Sequence, residues 1–493
     1  MKEGKMKSQQ MVFKKPIKKI LAEVLYHQYP REMVMHHLLK KFYHQFVESD
    51  SGKNPQKVQE DKFYMARNLV WSIHRGLRRG QISHDVWRKF LRAVASLYLK
   101  ENEKAKTFQE KYGFHPPGFV TVSPTKHCNL RCKGCYANSE SHSREKLEYD
   151  TVSRIVTEVK EFWGAHFTVI SGGEPLVYKS QGKDIFDFAQ EHSDMFFLMY
   201  TNGTLIDKEN ARRFAEVGNI TPAISVEGYE KETDDRRGKG VHKKIIQAFE
   251  NLREFGVPFG ISITATRQNV DTILSDEFID YYFNQHGALY GWIFQYMPIG
   301  RSFTLDLMVT PKQRRNMYLK MWKLIREDGV FLADFWNCGT VSNGCISAGK
   351  PNGYFYIDWN GNVTPCVFNP YKTHNILDVY RKGGNLNTVL FSPFFKGIRQ
   401  WQNQYTEDCP AHQMGNVIVP CAIKDHYEMM YNLIRETNAQ PADEPAHQAL
   451  QDPDYYRGMV KYGKELKEIT DDIWESQYLQ PERRKKISNT PEV

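Results

Sequence analysis

Six short apolar runs alternate with amphipathic stretches between residues 119 and 296, and this alternation constrains the fold more than any other feature of the 493-residue chain. The runs at 119–123, 167–171, 196–200, 220–226, 259–264 and 290–296 read as strands. The stretches at 150–163, 183–192, 208–217, 241–255 and 275–285 keep apolar residues at helical spacing. Repeated strand–helix units imply a parallel sheet with helices packed outside it. The expected fold class is therefore α/β, a partial (β/α)6 barrel that is an open version of the eight-unit form.

The flanks differ in kind. His115-Pro116-Pro117-Gly118 marks a boundary. Before it, residues 1–115 read as a helical segment, with helices at 16–28 and 63–78, a third capped by Ser83, and a loop at 50–60. The barrel is expected over 116–330. A small cysteine-containing extension should follow over 331–435, where GYFYIDWNGNVTPC carries the Asn360-Gly361 turn of a hairpin. Residues 436–493 read as a polar C-terminal tail that frays.

Charge belongs to the first of these segments. Residues 1–115 hold 24 Lys and Arg against 11 Asp and Glu, a net of +13 in a chain whose total is +9. An anionic partner is sought there. Three readings stand: a solvated face packed on the barrel, a peripheral membrane contact through Lys14, Lys15, Lys18 and Lys19 beside an apolar stripe, or an RNA contact. No recognisable nucleic-acid module favours the last. With no apolar run of roughly 18 residues and no export signal, the expected location is the cytoplasm.

The eight cysteines are bunched, three within eight residues and five after residue 335. In a reducing compartment such clusters are metal ligands or redox groups more often than disulfides. CNLRCKGCY, residues 128–136, places Cys128, Cys132 and Cys135 in a loop directly after the first strand. Three thiolates suit three corners of an iron–sulfur cubane and leave the fourth iron open. A structural zinc site needs a fourth ligand, and His127 is the neighbour on offer.

With SGGEP one strand–helix unit later, the chain resembles the radical SAM superfamily over residues 116–305. The resemblance implies a [4Fe–4S] cluster on the three cysteines and S-adenosylmethionine (SAM) on its open iron. It implies SAM contacts from Gly172, Gly173, Glu174 and Pro175, with Glu174 at the methionine amino group and Tyr136 as the aromatic after the third cysteine. TNGTLI (201–206) ends the third strand. ISVEG brings Ser225 and Glu227, DDRRGKG brings Arg237 with Arg236 equally placed, and QYMPIG brings Met297 toward adenine. The implied activity is reductive cleavage of SAM to a 5′-deoxyadenosyl radical, an oxidoreductase chemistry fed by a reductant such as flavodoxin or ferredoxin.

Cys345 and Cys366, in a C-x15-G-x4-C arrangement, resemble the opening of SPASM or twitch extensions with auxiliary clusters. One auxiliary [4Fe–4S] cluster on Cys345, Cys366, Cys421 and either Cys409 or Cys338 is the expectation, with buried free thiols as the alternative. The substrate is left open between a peptide or protein side chain and a lipid or isoprenoid. An electron-carrier protein would hold clusters without SAM, and a zinc-stapled binding protein would hold neither.

Overall fold

The computed structural model describes residues 25–49, 52–98 and 103–479, together with Glu23. Its centre is a sheet of ten strands. In chain order these are β1 (Phe119–Val122), β2 (Phe167–Ile170), β3 (Phe196–Thr201), β4 (Ile220–Val226), β5 (Gly260–Ala265), β6 (Gly291–Gln295), β7 (Leu332–Asp334), β8 (Tyr354–Ile357), β9 (Asn362–Thr364) and β10 (His374–Asn375). Their spatial order is β10-β9-β8-β1-β2-β3-β4-β5-β6-β7. Every pair from β8 through β1 to β7 is parallel, and the sheet stays open.

The six strands read from the apolar runs all form. Helices Tyr149–Trp163, Ile185–Glu191, Lys208–Val217 and Val241–Glu254 lie between them, and their apolar stripes pack on the outer face of the sheet. Ile155, Val159, Ile245 and Leu252 in those stripes are fully buried. This is the sequence pattern expressed directly, since a one-sided apolar helix finds its cover on a sheet face.

The extension does not stand apart from the sheet. β7 adds parallel to β6, and β8 adds parallel to β1 with Phe119 opposite Tyr354 and Val122 opposite Ile357. The hairpin expected at Asn360-Gly361 is present as antiparallel β8–β9, and Gly361 takes φ +80. The strand that carries the cysteine loop is therefore paired on one side by a strand more than 230 positions later.

Two expectations need correction. The loop at 50–60 is shorter, because helix Gln56–Arg78 starts earlier and docks by Asn68, which donates to Ile325 O at 2.7 Å and Val330 O at 2.9 Å. Within the polar tail expected over 436–493, helices Glu444–Gln451 and Pro453–Trp474 form, while its closing residues 480–493 lie outside the described residues. Met459 and Leu466 of the second are fully buried against the core. Residues 16–22 and 24 of the basic helix expected at 16–28 lie outside the described residues. Among the described residues, no helix is long and apolar enough to cross a membrane.

Candidate functional site

The cysteine loop has little regular structure of its own and takes its shape from three neighbours. From the β2 end, Gly173 N donates to Thr125 O at 2.8 Å and Glu174 N to His127 O at 2.9 Å. From the β4 side, Lys133 N donates to Arg236 O at 2.9 Å. From beyond β6, Arg301 N donates to Cys135 O at 3.0 Å, and its guanidinium to Cys132 O and Ser139 O. Glycines make the close approaches feasible: a Cβ on Gly173 would fall 2.1 Å from His127 O, and one on Gly300 would fall 2.2 Å from Tyr136 O.

Donors point at the sulfurs. Leu130 N lies 3.4 Å from Cys128 Sγ, Asn202 Nδ2 lies 3.8 Å from it, and Arg237 Nη1 lies 4.0 Å from Cys132 Sγ. Burial, reinforced by the Glu174 carboxylate, pushes the Cys128 thiol up to about 12. Burial also raises Cys132, with Arg237 and Arg236 opposing it. Thiols so placed ionise when a metal supplies the missing positive charge. Among the described residues, no three His, Cys, Asp or Glu converge on a single-ion position. A zinc ion gathers its sulfurs at about 2.3 Å from one point, whereas a cubane holds them at separate corners. The loop, its N–H donors and its nearby guanidinium fit an anionic [4Fe–4S] cluster.

The remaining expected residues fall around this loop. Glu174 is fully buried, and its Oε1 accepts from Thr201 Oγ1 at 2.7 Å and Leu176 N at 3.1 Å, while Oε2 accepts from Asn202 N at 2.8 Å. Burial raises its pKa and these three donors oppose the rise. Pro175 opens the short helical turn Pro175–Val177 that follows. The Tyr136 hydroxyl reaches Ser171 Oγ at 2.6 Å and accepts from Gly172 N at 3.3 Å, which ties the loop to the β2 end.

Glu227 is buried, and its carboxylate takes both guanidinium groups, Arg236 Nη1 at 2.5 Å and Arg237 Nε at 2.8 Å. The two arginines that the motif could not separate thus share one partner, and Arg237 is the one that reaches Cys132. Ser225 pairs in register with Ser262 of β5 and is half-buried. Met297 is buried in a turn closed by Ile299 N donating to Met297 O at 2.8 Å. Asn202 and Arg301 were not singled out from sequence. The signals were there, in the Thr-Asn-Gly end of β3 and the Gly-Arg that follows β6.

A second group of cysteines lines a cavity of about 220 Å³. Cys366 and Cys421 are buried there and Cys345 is half-buried. Cys345 follows a left-handed turn at Asn343-Gly344, and Cys366 follows β9. Cys421 is held by Asp425, whose Oδ2 accepts from Cys421 N at 3.0 Å and whose carboxylate is paired with fully buried Arg314. Asn369 Oδ1 in the cavity wall is buried without a hydrogen-bond partner. Burial pushes the Cys421 thiol up to about 12, and the Trp336 indole opposes it. Cys338 lines the cavity as well, in contact with Met321 Sδ at 3.9 Å. Cys409 is not among the cavity-lining residues and packs, as Cys338 also does, with the core around Met414 and Trp474. Three thiols sharing one wall suit an iron–sulfur group.

Residues 122–275 match the family model of the radical SAM superfamily. Fe-coproporphyrin III synthase of Methanosarcina barkeri is 29% identical over 178 residues, and the chain spans only 44% of that relative's length with 36% of its own. AdoMet-dependent heme synthase of the same organism is 24% identical, covering 53% of this chain and 79% of the relative. Mycofactocin maturase MftC of Mycobacterium ulcerans is 26% identical, covering 60% and 80%. Among solved structures, Streptococcus suis SuiB bound to precursor peptide SuiA superposes with a TM-score of 0.49 at 18% identity, covering 70% of this chain and 79% of that one. With its cysteine loop at the end of the first strand, the chain carries a radical SAM superfamily domain over residues 122–275.

Proposed function

We propose that the chain cleaves SAM reductively at a [4Fe–4S] cluster held by Cys128, Cys132 and Cys135, and turns the resulting radical on a substrate in the concave face of the sheet. The observation that carries this reading is the cysteine loop pinned between the β2, β4 and β6 ends, with Arg237 at Cys132. When bound, the cluster and SAM supply a one-electron cleavage that yields the 5′-deoxyadenosyl radical.

The chain's own residues have separate tasks. Leu130 N–H, Asn202 and Arg237 stabilise negative charge on the sulfurs. Gly172 and Gly173 let the backbone come close, and Pro175 fixes the turn beyond Glu174. Glu174 keeps one lone-pair direction on Oε2 free for an ammonium, while its other contacts hold the loop to the β3 end. Glu227 orients Arg237, and Ser225 and the Met297 turn offer polar and backbone contacts for ribose, carboxylate and adenine. Tyr136 positions the loop through Ser171 and Gly172.

An auxiliary [4Fe–4S] cluster on Cys345, Cys366 and Cys421 is part of the same proposal, with its fourth iron open or met by Cys338. A reductant such as flavodoxin or ferredoxin is required. The test is anaerobic reconstitution followed by 5′-deoxyadenosine release under dithionite. Cys128→Ala, Cys132→Ala and Cys135→Ala each abolish release; retained release in any of the three removes that ligand. Iron without SAM binding in equilibrium dialysis would instead identify an electron carrier.

A further inference from the structure

The turn that follows β6, which the SAM reading sets against adenine, is held on two sides. On its inner side Gly300 lies against Tyr136 O, and Arg301 N donates to Cys135 O at 3.0 Å. On its outer side it meets helix Pro453–Trp474. The hydroxyl of Tyr455, in the first turn of that helix, donates to Pro298 O at 3.2 Å. This bond is buried and joins residues 157 positions apart.

Local sequence prepares this tyrosine for the contact. Asp452 caps the helix, its Oδ1 accepting from Asp454 N at 2.8 Å and from Tyr455 N at 3.2 Å. Pro453 fills the first helical position, where no N–H is needed. Phe303 and Tyr427 meet the Tyr455 ring edge-on, at 6.1 Å and 5.5 Å between centroids, and fix its direction. Gly458, three residues on, lets the helix approach the chain beyond the turn: a Cβ there would fall 2.1 Å from Leu305 Cδ1. Burial pushes the Tyr455 phenol well above its ordinary pKa, so it keeps the proton it donates.

Peptide geometry converts that single bond into control of the turn. The proline ring fixes φ at residue 298, so ψ is the backbone freedom that remains there. Pro298 O and Ile299 N belong to one rigid peptide plane. Tyr455 holds the oxygen, and Met297 O accepts from Ile299 N at 2.8 Å, which closes a three-residue turn. The plane is thus clamped at both ends, and losing the hydroxyl frees one of them. We propose, on the strength of the SAM reading, that Tyr455 is a positioning residue for SAM. By orienting the Pro298–Ile299 peptide it sets the turn that faces adenine, which makes the C-terminal helix a part of the SAM site.

The test is equilibrium dialysis of SAM, and separately of methionine, against the anaerobically reconstituted full chain. Methionine keeps the amino and carboxylate groups of SAM and lacks its adenine. Tyr455→Phe, which removes only the hydroxyl, should weaken SAM about three- to tenfold, with methionine affinity and iron content unchanged. Tyr456→Phe removes the neighbouring hydroxyl, which reaches Glu428 instead of the turn, and should change neither ligand. Pro298→Ala loosens the same peptide, so adding Tyr455→Phe to it should cost less than about twofold more. SAM affinity in Tyr455→Phe within about twofold of the parent overturns the proposal. Equal weakening of SAM and methionine also overturns it, as does full additivity with Pro298→Ala. A parent that holds iron but binds no SAM defeats the radical SAM reading, and the role of Tyr455 with it.

Discussion

Gly173→Ala tests whether the β2 end truly sets the cysteine loop. An ideal Cβ there would lie 2.1 Å from His127 O and 2.5 Å from Lys126 O, where real Cβ contacts essentially never fall below 3.0 Å. Relief therefore demands a shift of about 1 Å, and both obstacles are backbone atoms rather than side chains that can swing away. The same two chain segments are tied by Gly173 N to Thr125 O at 2.8 Å and Glu174 N to His127 O at 2.9 Å, so the strain passes into Cys128, the next residue. Overpacking of this kind costs about 1–3 kcal/mol of stability. A misplacement of about 1 Å at a reacting centre costs on the order of 100-fold in rate. The assay is 5′-deoxyadenosine release under dithionite, with iron content and a thermal melt on the same protein. Gly182→Ala is the control: its φ of +76 carries backbone strain of about 1–2 kcal/mol, but nothing lies within 4 Å of the added Cβ. Release by Gly173→Ala within threefold of the parent, on protein of equal iron content, would refute the argument.

Two further outcomes follow from the packing. Cys366→Ala should lower iron from about eight toward about four per chain, while Cys409→Ala should leave it unchanged; iron and sulfide analysis distinguishes them, and equal losses would return Cys409 to the ligand set. Leu466→Ala, in the helix that the sequence disguised as a tail, should destabilise the protein by about 2–5 kcal/mol in a denaturant titration, against almost nothing for exposed Lys464→Ala. Equal midpoints for the two variants would mean the helix is not part of the core.

Legibility from sequence tracked how much of an element's signal is local. Runs such as 167–171 and 220–226 are buried on both faces, so most of their residues are apolar and the strand declares itself. β7 has only three residues and gives no strand signal, and although the hairpin of β8 is readable, its parallel pairing with β1 is not, because the partner lies more than 230 positions away. Helix Pro453–Trp474 did carry a stripe in Tyr455, Met459, Tyr462, Leu466 and Ile473, but charged residues on its outer face dominated the composition. At the site, motifs located the loop and its neighbours, because glycine and cysteine spacing is itself the signal. They could not divide labour between Arg236 and Arg237, which depends on how Glu227 is shared. Nor could spacing bring Cys345, Cys366 and Cys421 to one wall, which depends on distant contacts such as Arg314 on Asp425, across 111 positions.

The pairing of β1 with β8 also sets a timetable. Residue 122 leaves the ribosome long before residue 357, and at about 5–20 residues per second the interval is roughly 10–50 s. Throughout that interval the strand bearing the cysteine loop has one bare edge, the kind of surface that recruits other strands. The nascent chain therefore exposes its metal-binding loop and a sticky border together. Fragments that stop near residue 330 are expected to aggregate rather than yield a working core, and slowing translation should lower the soluble yield of the whole chain.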